Sequence, residues 1–411
     1  MLMAESTRLS YENVGATKNY RAFFFFVCHS CQDVWFSRDL VNCTNCIGCI
    51  NLKNKQYYIF NKPYSREQYE EELKKIRMGS YATVCNMIRK ADEFFLKYPR
   101  RYMHGIHNTN VSGEYIGYSK NIKDSYIVNE VENSRYCMWL ITKSSKDCYD
   151  YTQFGENAYN IYESLVCGIG INNIHFSLNC VEECHNLSYC SNCHASHDLF
   201  GCFGLRKKEY CILNKQYTKE EYEALVPKIV QHMNDMPYVD KKGRVYKYGE
   251  FFPIELSSFA YNESDAPDFF PLNKKKVEEE GYKWLDLEEK AYVPTISWKD
   301  LPNDIHDVAN SIVSEIILCK AWDESAENAA QHKCTKAFKV TKQELDFYRH
   351  MDLPLPRECP NTRHFKRLQK RNPVKWWNRK CAKCGVEIQT SYSPGRPEII
   401  YCEQCYQQEM A

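Results

Sequence analysis

The sequence lacks both an excess of charge and a long apolar run. Lysine and arginine total 54 against 53 aspartate and glutamate residues, so binding to a polyanion would require a local basic patch. The apolar stretch at residues 22–27 is too short to span a bilayer, and no other stretch approaches that length. The N-terminus has no basic segment followed by an apolar one. We therefore expect no signal peptide, no membrane association, and a reducing cytoplasm without disulfides.

Known catalytic motifs are also lacking. The sequence has no phosphate-binding glycine-rich loop, no H-E-x-x-H and no G-x-S-x-G. Its central histidines are scattered through a repetitive region and are not spaced as a proton-transfer set. The sequence therefore predicts no catalytic residue and no organic cofactor, and it favours a non-enzymatic protein.

What the sequence has in quantity is cysteine, at 22 residues, together with an internal repeat. Residues 48–64 and 201–217 match with a shift of 153 and no gaps. Each copy is followed by a helix-capping pattern, Ser65 with Gln68 in the first and Thr218 with Glu221 in the second. This pattern is typical of the last coil of a repeat fold and the helix that covers its open end.

Small residues and cysteines return at steps of roughly 11 to 12 in residues 20–64 and about 105–217. Two steps together give 22 or 23, as in the separation of 23 between Cys137 and Asn160. We interpret this longer period as one coil of a β-solenoid, since a leucine-rich repeat of similar period needs more leucine. The predicted fold is mainly β: a Cys-rich β-solenoid in a short N-terminal and a longer central block, with capping helices and a C-terminal zinc ribbon.

The predicted domains follow this division. They are a short solenoid segment with capping helices at residues 1–104, a central β-solenoid with its capping helix at 105–234, an extended connector with helices at 235–335, and a basic arm with the zinc ribbon at 336–411.

Cysteine spacing inside the repeats leaves two interpretations open. Spacing typical of metal-binding knuckles occurs at Cys28 and Cys31, at Cys43, Cys46 and Cys49, and at Cys190 and Cys193. Under the shift of 153, however, Cys43 and Cys46 fall on other residues, and only Cys49 falls on a cysteine. A metal site needs all its thiolates, whereas a narrow interior accepts cysteine as a small apolar residue, so we favour buried thiols here.

The strongest metal motif is C-terminal. Two C-x-x-C pairs separated by seventeen residues predict a zinc ribbon with the ligands Cys381, Cys384, Cys402 and Cys405. Four thiolates leave no position for water, so the expected cofactor is a structural Zn²⁺. Residues 388–392 and 398–401 are expected to form the hairpin of the ribbon. A weaker second set, without paired knuckles, comprises Cys319, Cys334, Cys359 and His364.

A basic segment without acidic residues precedes the ribbon, at residues 361–380. Its candidate nucleic-acid-binding residues are Arg363, Lys366, Arg367, Lys370, Arg371, Lys375, Trp376, Trp377, Arg379 and Lys380. Such a surface contacts phosphates, and exposed tryptophans stack on bases. The alternative is a basic helix that lies on an acidic neighbour, with both tryptophans buried against the ribbon.

Residues 201–217, 353–360 and 396–402, together with the cysteine ladder, carry a resemblance to a known family. The chain resembles uncharacterised Cys-rich repeat proteins with a C-terminal zinc ribbon, common in ultra-small candidate-phyla bacteria, and its C-terminus resembles the probable zinc-ribbon domain. The resemblance covers most of the chain and implies the same four ribbon ligands. The sequence departs from the family at Thr362, where relatives often have a second cysteine after Cys359.

The hypothesis that these observations favour is a non-enzymatic scaffold that offers its solenoid surface to a protein partner. The zinc ribbon and basic arm would contact nucleic acid or a ribonucleoprotein. The alternative is an enzyme or binder that acts on a polymer such as a carbohydrate laid along the solenoid. That alternative requires Asp147, Asp150, Glu156 and Glu163 to converge.

Overall fold

The computed structural model of the protein describes residues 4–286, 293–331 and 333–410. The fold is mainly β, as predicted, with helices concentrated after each block of strands. Two blocks of short parallel strands dominate it. We call residues 4–63 the N-terminal stack and residues 105–216 the central stack.

The N-terminal stack is followed by two helices. Its strands are β1 Ala4–Glu5, β2 Val14–Thr17, β3 Tyr20–Phe23, β4 Phe26–His29, β5 Gln32–Trp35, β6 Arg38–Val41, β7 Thr44–Ile47, β8 Gln56–Ile59 and β9 Lys62–Pro63; the helices are α1 Arg66–Lys75 and α2 Tyr81–Phe95. The strands form two sheets, ordered β1-β2-β4-β6 and β3-β5-β7-β8-β9, and only the β8–β9 pair is antiparallel.

Parallel partners in the N-terminal stack lie twelve residues apart, as in Cys28 opposite Leu40 and Val34 opposite Cys46. The chain therefore returns to the same strand position after twelve residues. The reason is a backbone turn at every third residue: from Lys18 to Asn45 each third residue has a φ of 49° to 55°. This left-handed conformation bends the chain at intervals too short for long strands. The expected coil of 22 residues is therefore wrong, because that distance spans two returns of the chain.

The central stack forms one twelve-stranded sheet. Its strands are β11 Gly105–Ile106, β12 Thr109–Gly117, β13 Lys120–Asn129, β14 Val131–Arg135, β15 Met138–Leu140, β16 Ser145–Phe154, β17 Ala158–Cys167, β18 Ile171–His175, β19 His185–Ser188, β20 His197–Phe200, β21 Glu209–Ile212 and β22 Lys215–Gln216; the short strand β10 Arg100–Arg101 precedes them. The sequence separation of parallel partners varies here from 11 residues, for Gly105 and Ile116, to 14 residues, for Val131 and Ser145. Strands β14 and β15 both lie between β13 and β16.

Each copy of the internal repeat is followed by a helix with a complete capping box. The Ser65 side chain caps α1, and the Thr218 side chain caps α3, Lys219–Asp235. Helix α1 buries Tyr69, whereas α3 buries no residue fully and places Tyr222 edge-on against Tyr210. Both predicted capping boxes are therefore confirmed. They were predictable because a capping box depends only on residues three positions apart.

The rest of the chain consists of short elements. They are β23 Tyr238–Val239, β24 Val245–Tyr246, α4 Ala266–Phe269, α5 Lys274–Glu279, β25 Ile317–Leu318, α6 Lys320–Glu324, α7 Ala326–Gln331, β26 Ala337–Phe338, α8 Lys342–His350, α9 Pro360–Gln369, β27 Trp377–Lys380, β28 Glu387–Thr390, β29 Ile400–Tyr401 and α10 Glu403–Met410; 3₁₀ turns occur at Ile254–Leu256, Tyr261–Glu263, Ile305–Asp307 and Asn310–Ser314.

Apolar side chains form separate cores inside and beside the stacks. One cluster fills the N-terminal stack, and another runs from Met103 to Cys211 inside the central stack. A third joins the outer face of the N-terminal stack, at Phe23 and Ile47, to α2, α8 and the segment around Ile305. The segment of residues 301–359 therefore packs beside the N-terminal stack.

Candidate metal centre

The four ribbon cysteines come together at the C-terminal end of the fold. Cys381 follows β27, Cys402 follows β29, and Cys405 lies in α10. The four Sγ atoms all lie within 4.8 Å of one another, with 3.7 Å between those of Cys384 and Cys402. The backbone N–H of Cys402 also donates to the Cys381 Sγ at 3.3 Å. This donor set can hold a tetrahedral metal ion, as the spacing predicted.

The strands of this ribbon pair differently from the prediction. Strand β28 pairs with β27, and β29 pairs in parallel with β10, about three hundred residues earlier in the chain. Residues 388–392 and 398–401 therefore do not form one hairpin. The spacing of the cysteines could not indicate this strand pairing, because β10, the partner of β29, lies outside the ribbon.

The local environment favours a thiolate at Cys381. Burial alone would raise the pKa of this thiol, but the backbone N–H groups of Cys384 and Cys402 lower it to about 6. Hydrogen bonds to the charged form favour that form. A thiolate is the form of cysteine that binds metal.

Three cysteines of the weaker set also meet. The Sγ atoms of Cys319, Cys334 and Cys359 lie within 4.8 Å of one another. His364 is not among them, because its Nε2 lies 3.3 Å from a carboxylate oxygen of Asp268. The predicted fourth ligand is therefore engaged elsewhere, and the group contains three thiols.

The interior cysteines of the stacks do not converge in the same way. Within the described residues, only the two groups above contain three or more Cys, His, Asp or Glu ligand atoms so close together. Burial raises the pKa of Cys148 to about 12 and that of Cys184 to about 11. These two thiols are therefore protonated at neutral pH and pack as small apolar groups.

Much of the basic segment is used in contacts within the fold. Arg363 and Arg367 both bind the Glu12 carboxylate, at 3.1 and 2.7 Å. Arg371 is buried and lies 4.7 Å above the Phe269 ring. The helical half of the segment is thus docked on an acidic neighbour, which was the alternative prediction for it.

The remaining members of the segment occupy different environments. Lys366 pairs with Glu358, and Arg379 donates to the Ser393 carbonyl. The exposed or half-buried remainder is Lys370, Lys375, Trp376, Trp377 and Lys380. The two tryptophans are half-buried, so neither is fully covered by the ribbon.

The four carboxylates proposed for a polymer-acting site do not all converge. Asp150 lies opposite Glu163 in neighbouring strands, and burial and the charge of Glu250 raise the pKa of Glu163. Asp147 lies further back along β16, and Glu156 lies in the turn between β16 and β17. No three of these groups bring their oxygen atoms within 4.8 Å of one another.

A buried ionic cluster that the sequence did not indicate lies where the two stacks and the ribbon meet. Glu114 is fully buried, contacts the His104 ring and accepts a hydrogen bond from Ser391 at 3.0 Å. The other side of His104 lies 3.7 Å from Asp39, which also faces Arg100 at 3.8 Å. These residues have no local motif, since they come from three distant parts of the chain.

No protein-family model and no curated protein matches this chain. Among solved structures, one protein described as an acetyltransferase, from Desulfovibrio desulfuricans G20, aligns at 10% identity and a TM-score of 0.12. That alignment covers 44% of this chain and 51% of the other, and the similarity is too low to support an argument about fold or function. Across the described residues, no helix is both long and apolar enough to cross a bilayer.

Proposed function

We propose that this chain is a non-enzymatic, zinc-binding scaffold protein of the cytoplasm. In this proposal its two stacks form a Cys-rich β-solenoid, and its ribbon holds a structural Zn²⁺. The observation that supports the proposal most directly is the convergence of four thiols within 4.8 Å, at a ribbon bonded to both stacks. Zinc with four thiolates has no open position for substrate or water, so its role is structural.

The contacts of the ribbon support this structural role. Thr390 donates to the Tyr102 carbonyl beside the central stack, at 2.6 Å. Tyr406 of α10 donates to Asn51 of the N-terminal stack, at 3.0 Å. Zinc that fixes the four cysteines would therefore also fix the relative position of the two stacks.

Stacked parallel strands and a fully buried thiol interior support the solenoid classification. The register also places two exposed tyrosines side by side. Tyr149 and Tyr162 are adjacent in register, and both are exposed, at 46% and 38%. Exposed tyrosine is enriched at protein interfaces, because each ring combines apolar area with a hydroxyl.

The corresponding experiment is affinity capture from the native host with three baits. The wild-type chain should retain a specific protein that the double variant Tyr149→Ser/Tyr162→Ser does not retain. A variant Tyr20→Ser, in the N-terminal stack at 43% exposure, is the matched control and should capture the same protein as wild type. Equal capture by all three baits would contradict a partner surface at these tyrosines.

A narrower nucleic-acid interface is supported by the residues that remain exposed. Lys375 and Lys380 flank the half-buried tryptophans, and the Lys375 Nζ lies 5.5 Å from the Trp377 ring centroid. Filter binding of RNA and single-stranded DNA across a salt series tests it. Lys375→Glu/Lys380→Glu should abolish salt-dependent retention, whereas Lys342→Glu, an exposed lysine on α8, should not. If the wild-type chain retains neither RNA nor single-stranded DNA, the nucleic-acid interface is contradicted.

The alternative of an enzyme that acts on a polymer has less support. Only Asp150 and Glu163 of the four carboxylates lie side by side. The other two carboxylates of the expected set lie elsewhere, at Asp147 further back along β16 and at Glu156 in the turn after it. The proposal therefore does not assign catalysis to this pair.

A further inference from the structure

Three thiols from segments that are distant in the sequence lie close together beside the N-terminal stack. Cys319 follows β25, Cys334 follows α7, and Cys359 precedes α9. Cys319 and Cys359 are fully buried, whereas Cys334 is half-exposed. The Sγ atoms of Cys359 and Cys334 lie 3.6 Å apart. The cluster is therefore accessible from one side, along Cys334.

Backbone donors surround the sulfur atoms as they do in the ribbon. The N–H of Cys359 donates to the Cys319 Sγ at 3.2 Å. Cys359 is the N-cap of α9, a ten-residue helix, and its own Sγ accepts from the Thr362 N–H at 3.5 Å. Donors at a helix N-terminus favour an anionic thiolate, which is the metal-binding form.

The fourth side of the cluster is closed by a hydroxyl. Thr362 is fully buried, and its Oγ1 lies 3.3 Å from the Cys359 Sγ and 4.0 Å from the Cys319 Sγ. No fourth Cys, His, Asp or Glu within the described residues joins the three thiols. His364, one turn further along α9, is held by Asp268.

We propose that Cys319, Cys334 and Cys359 form a second metal centre with three thiolates, whose fourth position is taken by the Thr362 hydroxyl or by an exchangeable water. Its ligand is a thiophilic divalent cation such as Zn²⁺, Co²⁺ or Cd²⁺. This inference does not depend on the ribbon or on the scaffold proposal.

The chemistry of the donor set makes this centre unlike the ribbon. Three thiolates donate less electron density to a divalent ion than four, and a neutral hydroxyl or water is the weaker fourth ligand. A position that water can occupy is also the position through which an incoming ligand exchanges. The three-thiolate centre therefore releases its ion before the ribbon does.

Cobalt titration of the reduced, metal-free full-length chain tests this inference, because thiolate-to-cobalt absorption reports the number of sulfur ligands. We expect two ions per wild-type chain. Under a competing chelator one ion should leave first, together with the spectral contribution of three thiolates. Cys334→Ala should bind a single ion with the four-thiolate spectrum of the ribbon.

Variants at residue 362 distinguish a metal centre from three thiols that only pack against one another. Thr362→Cys should convert the second spectrum to four thiolates and slow release of the ion to a rate closer to that of the ribbon. Thr362→Val removes the hydrogen bond to Cys359 at nearly the same volume and should weaken the second ion by about 10–100-fold.

Two outcomes would overturn the inference. One is a wild-type chain that binds one cobalt ion with the same spectrum as Cys334→Ala. The other is a disulfide between Cys334 and Cys359 in the native chain isolated without reductant, shown by the mass of its peptides. Should Cys334→Ala fail to fold, the wild-type stoichiometry and the Thr362→Cys spectrum still decide between the outcomes.

Discussion

Serine and cysteine occupy equivalent interior positions along the stacks. Ser37 donates to the carbonyl two residues earlier, at 2.8 Å, and Cys49 does the same twelve residues later, at 3.4 Å. Each side chain also accepts an N–H from the next return of the chain: Cys49 N–H donates to the Ser37 oxygen, and Asn61 N–H donates to the Cys49 sulfur. This geometry explains why interior thiols are exchangeable for hydroxyls and need no metal.

Substitution of Cys49 tests this equivalence. Cys49→Ser keeps a donor and an acceptor, so we expect a loss of stability of about 1 kcal/mol or less. Cys49→Val has no acceptor for the Asn61 N–H and should cost about 1–3 kcal/mol. Thermal unfolding under reducing conditions compares the two variants. A serine variant less stable than the valine variant would show that apolar packing outweighs these hydrogen bonds and would contradict the equivalence of serine and cysteine.

At the scale of elements, the predictions that succeeded were local in sequence. The capping boxes at Ser65 and Thr218 depend on residues three positions apart, and both are present. The expected coil length failed, because a turn at every third residue is not visible in side-chain type: Val27 and Phe36 adopt positive φ as readily as Asn42. The partner of β29 was missed because it lies in β10, outside any local pattern.

Helix α9 is held in place by charge. Glu12 binds both Arg363 and Arg367, and the side chains of the Glu12–Arg367 pair are only 16% and 19% exposed. A double-mutant cycle between Glu12→Ala and Arg367→Ala should give a coupling energy of about 1–3 kcal/mol, since charge-assisted bonds are stronger when little water screens them.

The pair Lys342–Asp346 on α8 is the control for that cycle. Its side chains are 80% and 55% exposed, so its coupling should be no more than about 0.3–0.5 kcal/mol. Chemical denaturation of the four variants in each cycle gives both values. Equal coupling for the two pairs would contradict the docking of the basic helix on Glu12.

At the scale of the whole molecule, the ribbon joins parts that the sequence suggested as separate units. The convergence of its four cysteines was predictable, because two C-x-x-C pairs carry a specific spacing. Its position was not predictable, because the buried cluster of Glu114, His104 and Asp39 that lies under it is assembled from distant residues. The sequence grouped Cys319, Cys334 and Cys359 with His364 as a weaker set, and the fold brings the three cysteines together without the histidine.

Metal removal should therefore loosen the joint between the ribbon and the stacks. The amides of Arg100 and Tyr102 donate to the carbonyls of Ile399 and Tyr401, at 2.7 and 3.0 Å. We expect a chelator to make these amides exchange with deuterium at least about tenfold faster, because their acceptors belong to the released ribbon.

An amide inside the central stack is the control for this exchange measurement. The Tyr126 N–H donates to the Cys137 carbonyl at 2.9 Å and should keep its exchange rate. Equal acceleration at Tyr126 would indicate general unfolding. No acceleration at Arg100 and Tyr102 would show that the ribbon is held without metal.

We propose that metal binds at the two sites where thiols converge and that the interior thiols bind none. Native mass spectrometry of the reduced chain, equilibrated with a small excess of zinc, counts the bound ions. We expect two zinc ions per wild-type chain and one in the variant Cys381→Ser/Cys402→Ser. Three or more ions in the wild type, or an unchanged count in the variant, would contradict the proposal.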